Sequence, residues 1–217
     1  MPTFQNEIRM IKKLDFEKEI DQIWLLYTKS YEYYYCLKKI AEHDKSKFSD
    51  IRFISFISYN CWYILIIELC KLFEQNNKNQ HYNVYRLLNI LKNNYKNLEY
   101  KNLISKSDID QFYNNLNALE VINVRDKIVQ LRNKFYAHTD RDVDIFVNNI
   151  RVTLNEVELL FNVLRNFIYE IKSKVFDGHT IFEDKIFIQI DEILAKIETA
   201  NKIRHEEIIR KYNDKKL

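Results

Sequence analysis

The hydrophobic positions of this chain recur mostly with the period of an α-helix. Apolar residues step by three and four from Asp15 to His43, and the same spacing returns from about Glu183 to Tyr212. The stretch from Phe53 to Leu69 is apolar nearly all round, which predicts a helix at the centre of a bundle. Glycine and proline, which interrupt helices, occur once each in 217 residues. The pattern therefore predicts an all-α fold of long helices and short polar loops.

Two capping signals mark helix starts in the second half of the chain. Ser107 or Asp108 is expected to cap the helix that follows it, because short polar side chains satisfy the free N–H groups of a first turn. Thr153 and Glu156 have the three-residue spacing of a capping box, which predicts that another long helix begins there.

The middle of the chain is expected to hold shorter helices. One runs from Asn83 to about Tyr95, and a polar connection follows it. The next starts at Ile109 and extends toward His138, either unbroken or with a kink or short break near Ile122–Asn123.

Length and composition favour one ordinary globular domain. A chain of 217 residues can bury a single substantial core, so we predict one domain over residues 1–217, with about the last ten residues fraying. Hydrophobic residues make up 47% and charged residues 30%, which separates the chain from disordered proteins. The net charge of +3 is too small to indicate nucleic-acid binding, so a local patch has to decide that question.

Neither the cysteines nor the apolar run suggests an extracytoplasmic protein. Cys36, Cys61 and Cys70 form no CxxC or Cys/His ligand pattern, and we expect buried, reduced thiols in a cytoplasmic protein. The uncharged run Phe53–Ile67 is shorter than the ~18 to 20 apolar residues that span a bilayer. We therefore expect a core helix and no membrane partner.

The candidate chemistry lies in the segment Val124–Asp140, whose sequence is VRDKIVQLRNKFYAHTD. It is dense in cations and contains Arg132, Asn133 and His138. In a helix, Arg132 and His138 would lie about 9 Å apart along the axis and about 120° apart around it. A long guanidinium stem can cross that gap, and two copies of the helix facing each other could also bring the groups together.

The string LRNKFYAHTD resembles the HEPN superfamily, whose active members carry an arginine, a polar residue such as asparagine, about four more residues and a histidine. It is also similar to the abortive-infection, AbiU-like branch of that superfamily. The resemblance implies an up-and-down helical bundle of the HEPN type and a homodimer that shares the site. It further implies metal-independent RNA cleavage that leaves a 2′,3′-cyclic phosphate and a 5′-hydroxyl.

The three motif residues suit that chemistry. His138 can move a proton because an unperturbed histidine pKa of ~6.5 lies near cellular pH. The planar fork of Arg132 can bind phosphate oxygens in pairs, and Asn133 can orient the phosphate or the imidazole. The alternative is structural: Arg132 is then a solvated cation, and His138 is favoured by the dipole at a helix C-terminus.

Residues around the motif have two interpretations each. Arg125, Lys127 and Lys134 are candidate RNA phosphate contacts, or a solvated face paired with acidic neighbours. Tyr136 is a candidate base-stacking residue, or simply packs.

Glu68 is a second candidate outside the motif. It ends the apolar run of the second predicted helix, so its carboxylate must reach water or a cation. It can orient a motif arginine from that position. The simpler alternative is an ion pair with Lys71, three residues later on the same helix.

Other reaction classes lack their motifs. The remaining histidines have no metal-ligand spacing, and one glycine cannot form a phosphate-binding loop, so we expect no metal and no cofactor. The sequence predicts a metal-independent HEPN endoribonuclease in phage defence or toxin-like growth arrest, with RNA as partner. The alternative is a non-catalytic HEPN module that binds RNA or pairs with an antitoxin, a nucleotidyltransferase or another defence protein. A third possibility is a helical interaction protein in which the motif is coincidental.

Overall fold

The computed structural model describes residues 12–42, 51–75, 82–100, 102–133, 150–176 and 185–214. These residues form helices and short connections, and they contain no strand. The helices are α1 (Lys13–Glu42), α2 (Arg52–Phe73), α3 (Val84–Asn93), α4 (Lys106–Leu116), α5 (Leu119–Leu131), α6 (Leu154–Val175) and α7 (Lys185–Asp214). A 3₁₀ turn, Tyr95–Asn97, follows α3. The predicted all-α fold is confirmed.

The start of α4 corrects the predicted cap. Ser105, and not Ser107 or Asp108, is the N-cap, and its hydroxyl accepts a hydrogen bond from the Asp108 N–H at 3.0 Å. The Asp108 carboxylate accepts one from the Ser105 N–H at 2.8 Å, which completes a capping box. Asp108 therefore lies in the first turn of the helix, which begins earlier than predicted.

The break before the motif helix also differs from its predicted position. Helix α4 ends at Leu116 and α5 begins at Leu119, so the chain breaks before Ile122–Asn123. The Asn117 amide side chain donates to the Tyr113 carbonyl at 2.7 Å, as asparagines do when they compete with helical hydrogen bonds. Helix α4 thus ends at an asparagine, without glycine or proline.

The start of α6 is as predicted. The Thr153 hydroxyl accepts from the Glu156 N–H at 3.2 Å, and the Glu156 carboxylate accepts from the Thr153 N–H at 2.7 Å. The capping box is confirmed, because its hydrogen bonds depend only on residues three positions apart.

The chain divides into two compact units. Unit 1 comprises residues 1–30 and 66–181, and unit 2 comprises residues 31–65 and 182–217. Both α1 and α2 contribute residues to each unit. The single domain over 1–217 remains a prediction.

Unit 1 contains a continuous apolar core. Helix α3 packs on α4, α5 packs on α6, and α4 also contacts both α5 and α6. The Phe112 and Phe167 rings meet edge to face, with centroids 5.1 Å apart. Helix α6 supplies the largest buried face, namely Val157, Leu160, Phe161, Leu164, Phe167, Ile168, Ile171 and Val175. The three- and four-residue steps of that face are the periodicity that the sequence shows.

Unit 2 has a smaller core. Buried Ile54 and Leu194 form its centre, and four partly buried isoleucines pack against them, namely Ile40, Ile51, Ile190 and Ile197. On the same stretch of α2, the side chains of Phe53, Phe56 and Tyr59 are 59%, 62% and 57% exposed. The prediction that α2 lies at the centre of a bundle is therefore wrong for its first half.

Helix α2 is longer than its uncharged run. Its 22 residues make it, among the described helices, the one long and apolar enough to cross a membrane by length and composition. The core helix of a soluble protein passes the same test, so this property alone does not identify a membrane protein.

Candidate functional site

The structure describes the first part of the motif. Helix α5 ends at Leu131, and Arg132 follows in a helical conformation, with its backbone N–H bonded to the Ile128 and Val129 carbonyls. Asn133 is exposed. Lys134, Tyr136 and His138 lie outside the described residues, so the distance from Arg132 to His138 stays a prediction.

Arg132 forms an ion pair with Glu74, a residue that the sequence analysis did not single out. The Arg132 Nη2 lies 2.5 Å from the Glu74 Oε1, and the two side chains are 24% and 16% exposed. The partners are 58 residues apart in the sequence. The half-buried carboxylate fixes one prong of the guanidinium fork, which limits the rotamers that the arginine can adopt.

The other prong of that fork has no acceptor within the described structure. The Arg132 Nε is buried and has no hydrogen-bond partner among the described residues. A buried N–H without an acceptor is unfavourable by about 1–3 kcal/mol, which makes such groups rare in native proteins. An oxygen of an anionic ligand is one group that would satisfy it.

Glu74 is itself held in place by Asn83, which is 3% exposed. The Asn83 Nδ2 donates to the Glu74 carbonyl at 2.7 Å and to the Lys71 carbonyl at 3.2 Å. Its Oδ1 accepts from the N–H groups of Tyr85 and Arg86 at the start of α3. One amide side chain therefore ends α2, begins α3 and fixes the backbone that carries Glu74.

Cys70 links the same end of α2 to α5. Its thiol donates to the Ile128 carbonyl across 3.6 Å, four residues before Arg132. Burial raises the pKa of Cys70 to about 12, although the nearby Arg132 opposes that shift. Cys70 is thus the buried, unreactive thiol that the sequence predicts. Cys36 and Cys61 are only partly buried, which corrects the prediction for those two.

Glu68 pairs with Lys71 at 2.5 Å, which is the simpler of the two sequence interpretations. The carboxylate that contacts the motif arginine is Glu74, six residues further along the chain. Both acids lie near the end of α2, and the sequence has no local signal that distinguishes them.

Arg125 is already engaged in the described structure. Its Nη2 lies 2.9 Å from the Asp126 carboxylate, and its Nη1 donates to the Tyr85 hydroxyl at 3.2 Å. The Tyr85 hydroxyl donates to the Leu116 carbonyl at 2.7 Å. Burial raises the pKa of Tyr85, although Arg125 acts against that shift. The paired arrangement, with an acidic neighbour, is one of the two that the sequence allows.

Lys127 is also paired. Its Nζ lies 2.5 Å from the Glu156 carboxylate in the capping box of α6. Burial raises the pKa of Glu156, but hydrogen bonds from Lys127 and Thr153 outweigh it, and the net shift is below the usual range. The sequence suggested acidic residues close to Lys127 in the chain as its partners. Glu156 was not among them, because α6 is distant along the chain.

A cleft of about 580 Å³ lies beside the Lys127–Glu156 ion pair. Its lining is Glu120, Asn123, Val124, Asp126, Lys127, Gln130, Glu156 and Leu159. Three carboxylates against one ammonium group disfavour a nucleic-acid backbone, so this cleft is a poor candidate for the RNA site. The described residues contain no group of three side chains that could hold a metal ion.

The comparisons with known proteins agree with the motif. A family model described as AbiU2, of the HEPN type, matches residues 12–186. No curated protein and no solved structure matches the chain. The match covers most of the chain and includes Arg132, Asn133 and His138. The chain therefore belongs to the AbiU2 family of HEPN proteins, which has a role in abortive infection.

Proposed function

We propose that this protein is a metal-independent endoribonuclease that acts in abortive infection by cleaving RNA. The observation that carries the proposal is the fixed Arg132 guanidinium, held by Glu74 at the start of the family motif. A cation with restricted rotamers loses less entropy when it binds a phosphate, so it can stabilise developing charge efficiently. The site is proposed to lie in the cytoplasm and to be shared between two copies of the chain.

In the proposed reaction, His138 removes the proton of a ribose 2′-hydroxyl or protonates the leaving oxygen. The 2′-oxygen attacks the adjacent phosphorus, and the bond to the 5′-oxygen breaks. The products carry a 2′,3′-cyclic phosphate and a 5′-hydroxyl, and no water or metal is consumed. Arg132 binds the non-bridging phosphate oxygens, and the exposed Asn133 orients the phosphate or the imidazole.

The residues that flank the motif are proposed to contribute to RNA binding to different extents. Lys134 is proposed to bind the RNA backbone, and Tyr136 is proposed to stack on a base. Arg125 and Lys127 are each paired with a carboxylate in the described structure, so RNA would have to displace Asp126 or Glu156 to reach them. We therefore expect a smaller contribution from these two residues.

A non-catalytic role is the second candidate, and the same ion pair favours it. An arginine that is already neutralised by Glu74 can serve to hold α2 against α5 without any ligand. In that case the chain would act in defence as a binding module for RNA, an antitoxin or a partner such as a nucleotidyltransferase.

Two motif variants, each with a matched control variant, test the proposal. Arg132→Ala and His138→Ala are compared with Arg204→Ala and His205→Ala, which remove the same residue types from an exposed stretch of α7. We expect the first two to lower the RNA cleavage rate by about 10²- to 10³-fold, and the controls to leave it unchanged. Cleavage of a labelled RNA is measured in EDTA, with circular dichroism to compare helix content.

The outcomes separate the two candidates. Cleavage that survives both motif substitutions, or that requires a divalent metal, contradicts the nuclease proposal. A wild-type protein that binds RNA or a partner tightly but cleaves no RNA favours the non-catalytic module.

A further inference from the structure

Two of the three cysteines meet in unit 2. Cys36 lies on α1, Cys61 lies on α2, and a hydrogen bond joins their thiols. Both side chains are partly exposed, so small solutes can reach them. They are about 25 residues apart in the sequence, so no local pattern such as CxxC brings them together.

The packing of the two helices supports the same contact. Ile40 of α1 packs against the apolar cluster of unit 2, which is formed by buried Ile54 of α2 and buried Leu194 of α7. Cys36 lies one turn before Ile40, and Cys61 lies about two turns after Ile54.

The two thiols are not equivalent. The Cys61 thiol donates its hydrogen bond to Cys36, which lowers the pKa of Cys36 despite its burial. The same hydrogen bond, together with burial, raises the pKa of Cys61. The thiolate is the form that attacks oxidants and a lowered pKa favours it, so Cys36 is the better nucleophile of the two. Buried Cys70 has neither the exposure nor the partner.

We propose that Cys36 and Cys61 form a redox-sensitive modification site that peroxides convert into a disulfide between α1 and α2. The Cys36 thiolate attacks one oxygen of hydrogen peroxide and becomes a sulfenic acid, while the O–O bond breaks and the other oxygen leaves as hydroxide, which solvent protonates. The Cys61 sulfur then attacks the Cys36 sulfur, and the displaced hydroxide leaves as water with the Cys61 proton. Two electrons pass from the two thiols to the peroxide, and a thiol reductant reverses the step.

The disulfide would fasten the two helices together. Closing a loop of about 25 residues restricts the unfolded chain, and the expected rise in the thermal unfolding midpoint is roughly 5–10 °C. This inference does not depend on the proposed nuclease activity, because the thiols lie outside the motif.

The test uses the full chain, reduced and desalted, then treated with hydrogen peroxide and an alkylating reagent. Trypsin gives one peptide over residues 30–38 with Cys36, and another over residues 53–71 that holds both Cys61 and Cys70. The Cys70→Ala variant removes that ambiguity. Chymotrypsin, which cuts after Trp62 and Tyr63, removes it in the wild type and serves if the variant fails to fold.

We expect an intramolecular link between the Cys36 and Cys61 peptides in the wild type and in Cys70→Ala, with a higher unfolding midpoint that a reductant restores. The link should be lost in Cys36→Ala and in Cys61→Ala. Oxidation of Cys36 to sulfinic acid without a link, a link to Cys70, or a link only between two chains would each overturn the proposal.

Discussion

The two halves of α2 both contain several large apolar residues and have different surroundings. The second half contains Leu65, Ile66, Leu69, Cys70, Leu72 and Phe73, and each of these is at most 1% exposed. The first half contains Phe53, Phe56 and Tyr59, and each of these is more than half exposed. The contrast teaches that a large apolar side chain on a largely apolar helix need not be buried, because burial also requires a neighbouring helix to pack against it.

The largest expected effect separates these halves directly. Leu69→Ala removes a fully buried side chain and should lower the free energy of unfolding by about 2–5 kcal/mol, because it leaves a cavity. Phe56→Ala removes an exposed ring and should change it by less than about 0.5 kcal/mol. Urea unfolding followed by circular dichroism measures both. Similar losses for the two variants would remove the distinction between the halves.

A smaller effect on the free energy of unfolding is expected from the two ion pairs near the end of the second half of α2. Glu74→Gln leaves the partly buried Arg132 without a counter-charge and should lower the free energy of unfolding by about 1–3 kcal/mol. Glu68→Gln disturbs a pair whose lysine is largely exposed, and about 0–1 kcal/mol is expected.

The same two variants also test whether Glu74 supports only the fold or contributes to RNA cleavage as well. If Glu74 orients Arg132 for phosphate binding, Glu74→Gln should also lower RNA cleavage, whereas Glu68→Gln should leave it unchanged. Equal cleavage rates for both variants would argue that Glu74 supports the fold alone. Thermal unfolding measured alongside ensures that each comparison uses folded protein.

The smallest expected effect is on the pH dependence of stability. It concerns the capping box at the start of α6, which local hydrogen bonds hold together. The pKa of Glu156 is lowered in the folded protein, so its contribution is present above the unfolded value of about 4.3 and is lost as pH falls through the folded pKa. Thr153→Ala should cost about 1 kcal/mol at pH 7. That cost should shrink at pH 3, as urea unfolding at the two pH values would measure. A cost that is independent of pH would show that the carboxylate does not contribute.

Local features were predictable from the sequence, and contacts between distant residues were not. The capping box of Thr153 and Glu156 and the long helices depend on residues three or four positions apart. The break at Asn117 escaped prediction because α4 ends at an asparagine, and no glycine or proline marks the position. The pairing of Glu74 with Arg132 joins residues 58 positions apart, and no local pattern selects Glu74 over Glu68.

Asn83 has a consequence for how this family can vary. Because its amide ties the last carbonyls of α2 to the first N–H groups of α3, the position of Glu74 does not depend on the length of the chain that joins them. Insertions or deletions between residues 76 and 81 should therefore leave the ion pair between Glu74 and Arg132 intact. Replacing Asn83 should disturb that ion pair, whereas a change of length between residues 76 and 81 should not.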